Sequence, residues 1–138
     1  MRSRNKKKFV SAIVVAAGAS RRFKSGVKKQ FYKIRGRELF LYPLEVLLRS
    51  RQIDEIVVVL PGESIEKYDR LYKYKKVTSV VPGGESRAES VRNGLAVVSE
   101  RAGYVFIQDG ARPFLKEGYI KDCLAALNKN DGAVVALK

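Results

Sequence analysis

The 138-residue chain contains no histidine. That absence removes imidazole as a general base, as a metal ligand and as the middle member of a serine triad. Its single cysteine, Cys123, allows neither an intramolecular disulfide nor a cysteine zinc cluster. Cys123 stands with Ile120, Leu124 and Leu127 at helical spacing, which predicts a small packed hydrophobe rather than a reactive thiol. No apolar run approaches the ~18 residues that span a bilayer. Residues 1–8 are basic, and the apolar stretch after them lacks a signal-peptide layout, so no membrane partner and a cytoplasmic location are expected. Negative charge is also scarce. Against 28 Lys+Arg there are 14 Asp+Glu, a net charge of +14, a field that attracts polyanions such as nucleotides or phosphorylated metabolites.

What is present is enough for one folded domain, with 46% hydrophobic residues. Residues 1–8 read as a solvated basic tail and 9–138 as a single α/β domain. Residues 9–16 (FVSAIVVA), 55–60 (EIVVVL), 76–81, 104–108 (YVFIQ) and 133–137 (AVVAL) are strand-length apolar runs rich in β-branched residues. Helical patterns lie between them at 39–50, 64–74, 86–101 and 117–130. In the third, Ala88, Val91, Leu95 and Val98 are spaced as a core-facing stripe. Pro43 places the start of the first helix close to it. Alternating strands and helices predict a mostly parallel sheet with helices on both faces.

In such sheets ligands collect outside the carboxyl ends of the strands, and three segments there have unusual chemistry. The first is VVAAGASRRFKSGVKKQF, residues 14–31, where Ala16, Ala17, Gly18, Ala19 and Ser20 follow an apolar strand and cations follow them. Small residues let a ligand approach backbone N–H groups, and Arg22 and Lys29 add mobile charge. The stretch is not a P-loop, because no Gly-Lys-Ser/Thr follows; a flexible basic loop is the competing reading. The second is PGGESRAES, residues 82–90. Ser86 and Glu89 fit a capping box, but Arg87 sits in a first helical turn where the dipole disfavours a cation. An anion or a carboxylate partner near Arg87 is therefore expected. The third is FIQDGARPF, residues 106–114, in which Asp109 ends a strand and is either a ligand for a hard cation or a turn-forming residue.

In order and register, the pieces AAGASRR, KKQF, GGESRAESVRNGL and QDGARPF resemble the 2-C-methyl-D-erythritol 4-phosphate cytidylyltransferases of isoprenoid synthesis, over residues 11 to 138. The resemblance implies a Rossmann-like nucleotidyltransferase fold that joins CMP from CTP to a polyol phosphate, dependent on Mg2+ and homodimeric. It implies that Ala16, Ala17 and Gly18 line the nucleotide, with Ala19 and Ser20 in the triphosphate turn. Arg22 and Lys29 would stabilise the pentacoordinate α-phosphate. Gly84, Glu85 and Ser90 would contact the cytosine and hold Arg87, while Asp109 would hold magnesium and Arg112 would support that loop and the acceptor. The sequence departs from the family pattern at Ser20 (usually glycine), Lys28 (usually proline) and Gln108 (usually histidine). Members of the family also continue well past residue 138, into a segment that supplies further metal and phosphate ligands, a substrate-binding arm and dimer contacts. The 138-residue chain alone is thus expected to bind CTP–magnesium weakly and turn over poorly, and its last strand to expose an apolar edge.

Other readings stand beside this one. Ribitol 5-phosphate or another polyol phosphate is the alternative acceptor, and a nucleotide-binding domain without turnover is the alternative to an enzyme. A nucleic-acid-binding module would use the +14 charge, but the cations are scattered over tail, loop and helix with no recognised nucleic-acid motif, so no nucleic-acid partner is expected.

Overall fold

Two β-branched runs, Val57–Val59 and Ile13–Val15, lie side by side in register, and the molecule is organised around that pair. The computed structural model describes residues 6–24 and 26–136; Met1–Asn5 of the expected tail lie outside the described residues. Strands β1 (Phe9–Val15), β4 (Glu55–Leu60), β5 (Val77–Pro82) and β6 (Ala102–Asp109) form one sheet in the order β5-β4-β1-β6. Every pairing in it is parallel. Between β1 and β4 come a short hairpin, β2 (Lys33–Ile34) and β3 (Arg37–Glu38), and helix α1 (Leu41–Arg49). Helix α2 (Arg87–Leu95) joins β5 to β6, and α3 (Glu117–Ala126) follows β6.

Alternating side chains of β1 and β4 supply two cores, because successive residues of a strand point to opposite faces. Ala12, Val14, Ile56, Val58 and Leu60 pack with Phe40, Leu44 and Leu47 of the α1 side and with Ile120 of α3. On the other face Ile13, Val57 and Val59 meet Val81, Val98 and Val105, and α2 crosses that face. Both faces being covered explains why β4 is buried at every position and reads as an unbroken apolar run. Among the described residues no helix is long and apolar enough to cross a membrane.

Four features differ from the sequence reading. Residues 133–136 form no strand, and Val134 is 89% exposed; Leu137 lies outside the described residues. A β-branched run becomes a strand only where a ladder partner meets it, and none of the described strands pairs with this one, so the sheet's edges are β5 and β6. The apolar stripe of α2 is also displaced: Ala88 and Leu95 are exposed, while Ser90 and Gly94 are buried. The cause is a close approach. A Cβ at Gly94 would lie 2.8 Å from Ile13 Cγ2 and 3.1 Å from Val59 Cγ2, so small residues must face the sheet.

The pattern at 64–74 forms 3₁₀ helices, Gly62–Ser64 and Glu66–Lys73, rather than an α-helix. Tyr68 is off-helical there and fully buried, stacked on Phe31 and edge-on to Phe40. Burial, and then the neighbouring Glu38 carboxylate, push its phenol up to about 12, so it stays neutral. The hairpin β2–β3 was not anticipated. Arg35 and Gly36 both have positive φ, 52° and 75°, the signature of a two-residue type I′ turn, and the Arg-Gly pair was its only cue.

Cys123 is half-buried on α3, and burial, then the charge of Asp122, raises its thiol pKa; a thiol held protonated is a poor nucleophile.

A buried carboxylate fixes the amino end of the sheet. Glu55 is 5% exposed and accepts from Ser11 Oγ (2.5 Å), Thr78 Oγ1 (2.9 Å) and the Ser99 N–H (2.9 Å). It thereby ties β1, β4, β5 and the turn before β6 together. Glu55→Ala leaves those three donors unpaired and is expected to lower the unfolding free energy by about 2–3 kcal/mol. Urea denaturation reads this directly; an unchanged midpoint would mean that water replaces the carboxylate at no cost.

Candidate active site

The order β5-β4-β1-β6 means that the chain builds outward from β1 to β4 and β5, then crosses back to place β6 on the other side of β1. The crevice at such a reversal, outside the strands' carboxyl ends, is where open α/β sheets bind ligands. Loops leaving β1, β5 and β6 meet there. Gly83, after β5, lies so close to the β1 loop that a Cβ on it would sit 2.2 Å from Ala17 Cβ and 2.7 Å from Ser90 Oγ. Gly110, after β6, donates its N–H to Val15 O (2.8 Å), and a Cβ on it would be 2.8 Å from Ala16 Cβ.

The β1 loop is ordered by its own polar groups. Ala16 is buried and donates its N–H to Val59 O (2.8 Å), so its side chain belongs to the core rather than to the cleft. Ala17 is half-buried beside Gly83, while Gly18 and Ala19 are exposed. No protein acceptor meets the N–H groups of Gly18 and Ala19 among the described residues. Ser20 has φ of 55°, a conformation easier for the glycine it replaces. Its hydroxyl accepts from the Lys29 N–H (2.8 Å) and donates to Gln30 Oε1 (3.1 Å). Arg22 and Lys29 are exposed, and among the described residues neither side chain has a protein partner. Lys28 next door is engaged, 2.6 Å from Glu63 Oε1 in the loop after β4.

The β5 loop explains its own residues. Ser86 caps α2 by accepting from the Glu89 N–H (3.1 Å). Glu89 reaches back to the Glu85 N–H (2.7 Å), one residue earlier than the usual capping box. A Cβ at Gly84 would lie 2.4 Å from Glu89 Cβ, so the box itself demands that glycine. Ser90 is buried and its Oγ accepts from the Gly84 N–H (3.1 Å), while Glu85 keeps an exposed side chain.

Arg87 finds the carboxylate its position called for. Its Nε lies 2.9 Å from Asp109 Oδ1, and Arg112 Nε lies 3.1 Å from Asp109 Oδ2. Exposed pairs of this kind contribute only about 0.2–1 kcal/mol, so their consequence is orientation: two guanidinium groups aim the Asp109 carboxylate. Gln108, the departure from the family's histidine, donates from Nε2 to the carbonyls of Asp109 and Arg112 (3.1 Å each) and closes the turn behind it.

Among the described residues no three His, Cys, Asp or Glu side chains gather into a self-sufficient metal cage. Asp109 is a lone carboxylate: Oδ1 accepts a hydrogen bond from Arg87, Oδ2 is ion-paired with Arg112, and lone pairs remain on both oxygens. That donor set fits a hard cation which draws its other ligands from water and phosphate oxygens. Two hollows lie on the surface around these loops. A groove of about 500 Å³ lined by Arg37, Leu44, Arg70 and Tyr74 shares no residue with these loops. Another, of about 580 Å³, runs beneath the basic loop between Phe23, Lys24, Lys29 and Tyr32.

A parallel sheet with this reversal, a small-residue loop with unpaired N–H groups and free cations beside it define an α/β domain of nucleotidyltransferase fold. Solved structures similar to it bear this out. The 4-diphosphocytidyl-2C-methyl-D-erythritol synthase of Anaerococcus prevotii superposes with a TM-score of 0.75 at 32% identity, covering 90% of this chain and 52% of that one. The bifunctional IspDF of Campylobacter jejuni gives a TM-score of 0.75 at 29% identity, covering 88% of this chain and 31% of that one.

The IspD family model, 2-C-methyl-D-erythritol 4-phosphate cytidylyltransferase, matches residues 10–138, and the chain belongs to that family. A curated member from Thermotoga neapolitana is 38% identical over 128 residues, 92% of this chain and 58% of that protein. One from Geobacter metallireducens is 36% identical over 135 residues, 93% of this chain and 58% of that protein. The chain thus spans a little over half the length of the curated relatives it matches.

Proposed function

We propose that the chain performs cytidylyl transfer: a phosphate oxygen of 2-C-methyl-D-erythritol 4-phosphate attacks the α-phosphorus of CTP, the α–β bridging bond breaks, and pyrophosphate leaves. One observation carries the reading. The Gly83–Ala17 approach and the Arg87–Asp109 ion pair bring the loops after β1, β5 and β6 to one cleft. The attacking oxygen is already an anion, so no strong base is needed, which suits a chain without histidine. Catalysis then rests on positioning and charge. The free N–H groups of Gly18 and Ala19 face the triphosphate, and Arg22 and Lys29 meet the charge that grows on the α-phosphate. Gly84, Glu85 and Ser90 contact the base.

Magnesium is the metal of this reading, held by Asp109 together with triphosphate oxygens and water, and Arg112 steadies that loop beside the acceptor. When bound it neutralises the departing pyrophosphate. The working unit is a homodimer, for which exposed apolar groups such as Phe114, 84% accessible, offer contact surface. The compartment is the cytoplasm, since CTP and a sugar-alcohol phosphate are charged metabolites that do not cross membranes unaided.

The test mixes the purified chain with CTP, magnesium and methylerythritol phosphate and follows pyrophosphate, with ribitol 5-phosphate in a parallel reaction. Slow release that depends on methylerythritol phosphate is the expected result. Faster release with ribitol 5-phosphate would reassign the acceptor, and CTP binding without release would leave a nucleotide-binding domain.

A further inference from the structure

We infer that Gln30 is a positioning residue that sets Lys29 against the β1 loop. Gln30 begins as an anomaly: a polar side chain in a basic surface loop that is only 3% exposed. Both ends of its amide serve one task. Nε2 donates to Gly18 O (2.9 Å) and Oε1 accepts from Ser20 Oγ (3.1 Å). The Ser20 hydroxyl, its proton given to Gln30, is left as an acceptor for the Lys29 N–H (2.8 Å). Gln30's own carbonyl accepts from the Phe40 N–H (3.1 Å), which fastens it to the start of α1.

The chain of bonds therefore runs from the core, through Gln30, to both ends of the loop. It pins Gly18 on one side and the backbone of Lys29 on the other. An amide is the group that fits, because it both donates and accepts from one rigid plane. A carboxylate in its place would have no proton for Gly18 O. Among the described residues the cation on Lys29 meanwhile has no protein partner, so its direction is governed by where its backbone is held. Ser20 belongs to the same device. Its positive φ turns the loop so that one hydroxyl reaches both Gln30 and Lys29.

The inference rests on the reading that Lys29 acts on the α-phosphate, and two readouts separate the two. Gln30→Met keeps the volume and removes both amide bonds. Amide hydrogen exchange on the full chain should then show the Lys29 N–H exchanging at least about tenfold faster, with the β1 and β4 amides unchanged. Ser20→Gly, which also relieves the positive φ, should do the same. Unchanged exchange at Lys29 in both variants overturns the proposal without any reference to turnover.

Turnover supplies the second readout. Gln30→Met should lower kcat about tenfold or more, with KM for CTP within about twofold, since a small misplacement of a reacting group is costly. Made on top of Lys29→Ala, it should lower kcat no further. A full additional loss in that background overturns the positioning role, as does normal kcat in Gln30→Met when Lys29→Ala is crippled. If Lys29→Ala itself turns over normally, the catalytic reading fails and Gln30 has no catalytic group to position.

Discussion

Arg22→Ala and Lys29→Ala are each expected to lower turnover by about 10²–10³-fold, the usual loss when one preorganised charge is removed from a transition state. CTP affinity should move far less. The argument starts from what these side chains do not do. Among the described residues neither has a protein partner, and both are exposed, so neither contributes appreciably to the fold. Their neighbour Lys28 supplies the internal control. It has the same charge in the same loop, but it is already committed to Glu63, 2.6 Å away, so Lys28→Ala should leave kcat near the parent value. A bound triphosphate carries its charge before and after the chemical step; only charge that accumulates at the α-phosphate is specific to the transition state. Groups serving that increment affect kcat, and groups serving the static charge affect affinity. Pre-steady-state pyrophosphate release together with a CTP titration separates the two. Parallel losses in kcat and CTP affinity would mean that Arg22 and Lys29 only bind.

How far the site was legible in the sequence depended on how local each cause was. The strands β1 and β4 were visible because two-sided burial writes itself as a run such as EIVVVL, and the edge strands β5 and β6 because their runs are rich in β-branched and aromatic residues. The Ser86 cap was visible because its partner Glu89 is three residues away. Arg87's need for an anion was visible from its place in the first turn, but Asp109 as the answer was not, because the two are brought together only by the crossing of the sheet. For Gly84 the family resemblance implies only a contact with the base. In the fold Gly83 is demanded by Ala17 and Ser90, and Gly84 by Glu89. The stripe drawn on α2 failed for a related reason: periodicity assumes an ordinary helix–sheet spacing, and Gly94 makes this one closer. The AVVAL run failed as a strand because propensity cannot supply a ladder partner. Gln30, within KKQF, was not legible, since nothing in a sequence shows that a glutamine in a cationic loop is buried.

The position with least tolerance is therefore Gly83, and Gly83→Ala is expected to weaken CTP binding at least about tenfold and to cost about 1–3 kcal/mol of stability, the usual range for overpacking. Its φ is not the reason; the reason is space. The new methyl would meet Ala17 Cβ at 2.2 Å and Ser90 Oγ at 2.7 Å. Neither can withdraw easily. Ala17 follows a strand whose next residue back, Ala16, is bonded to Val59, and Ser90 is fixed by its bond from the Gly84 N–H. Gly83 is itself anchored through its N–H to Leu60 O (2.9 Å). The strain must then be relieved by separating the β1 and β5 loops, the two that the proposed site needs together. Gly118→Ala is the matched control, because nothing lies within 4 Å of a Cβ there; stability and CTP affinity should both be retained. A second-site change makes the cause specific. Ala17→Gly removes the nearer of the two clashing atoms, so the double variant should recover much of the affinity lost in Gly83→Ala, a coupling that independent sites do not show. If Gly83→Ala folds and binds CTP like the parent, the two loops do not share a nucleotide, and the cytidylyl-transfer reading loses the contact it was built on.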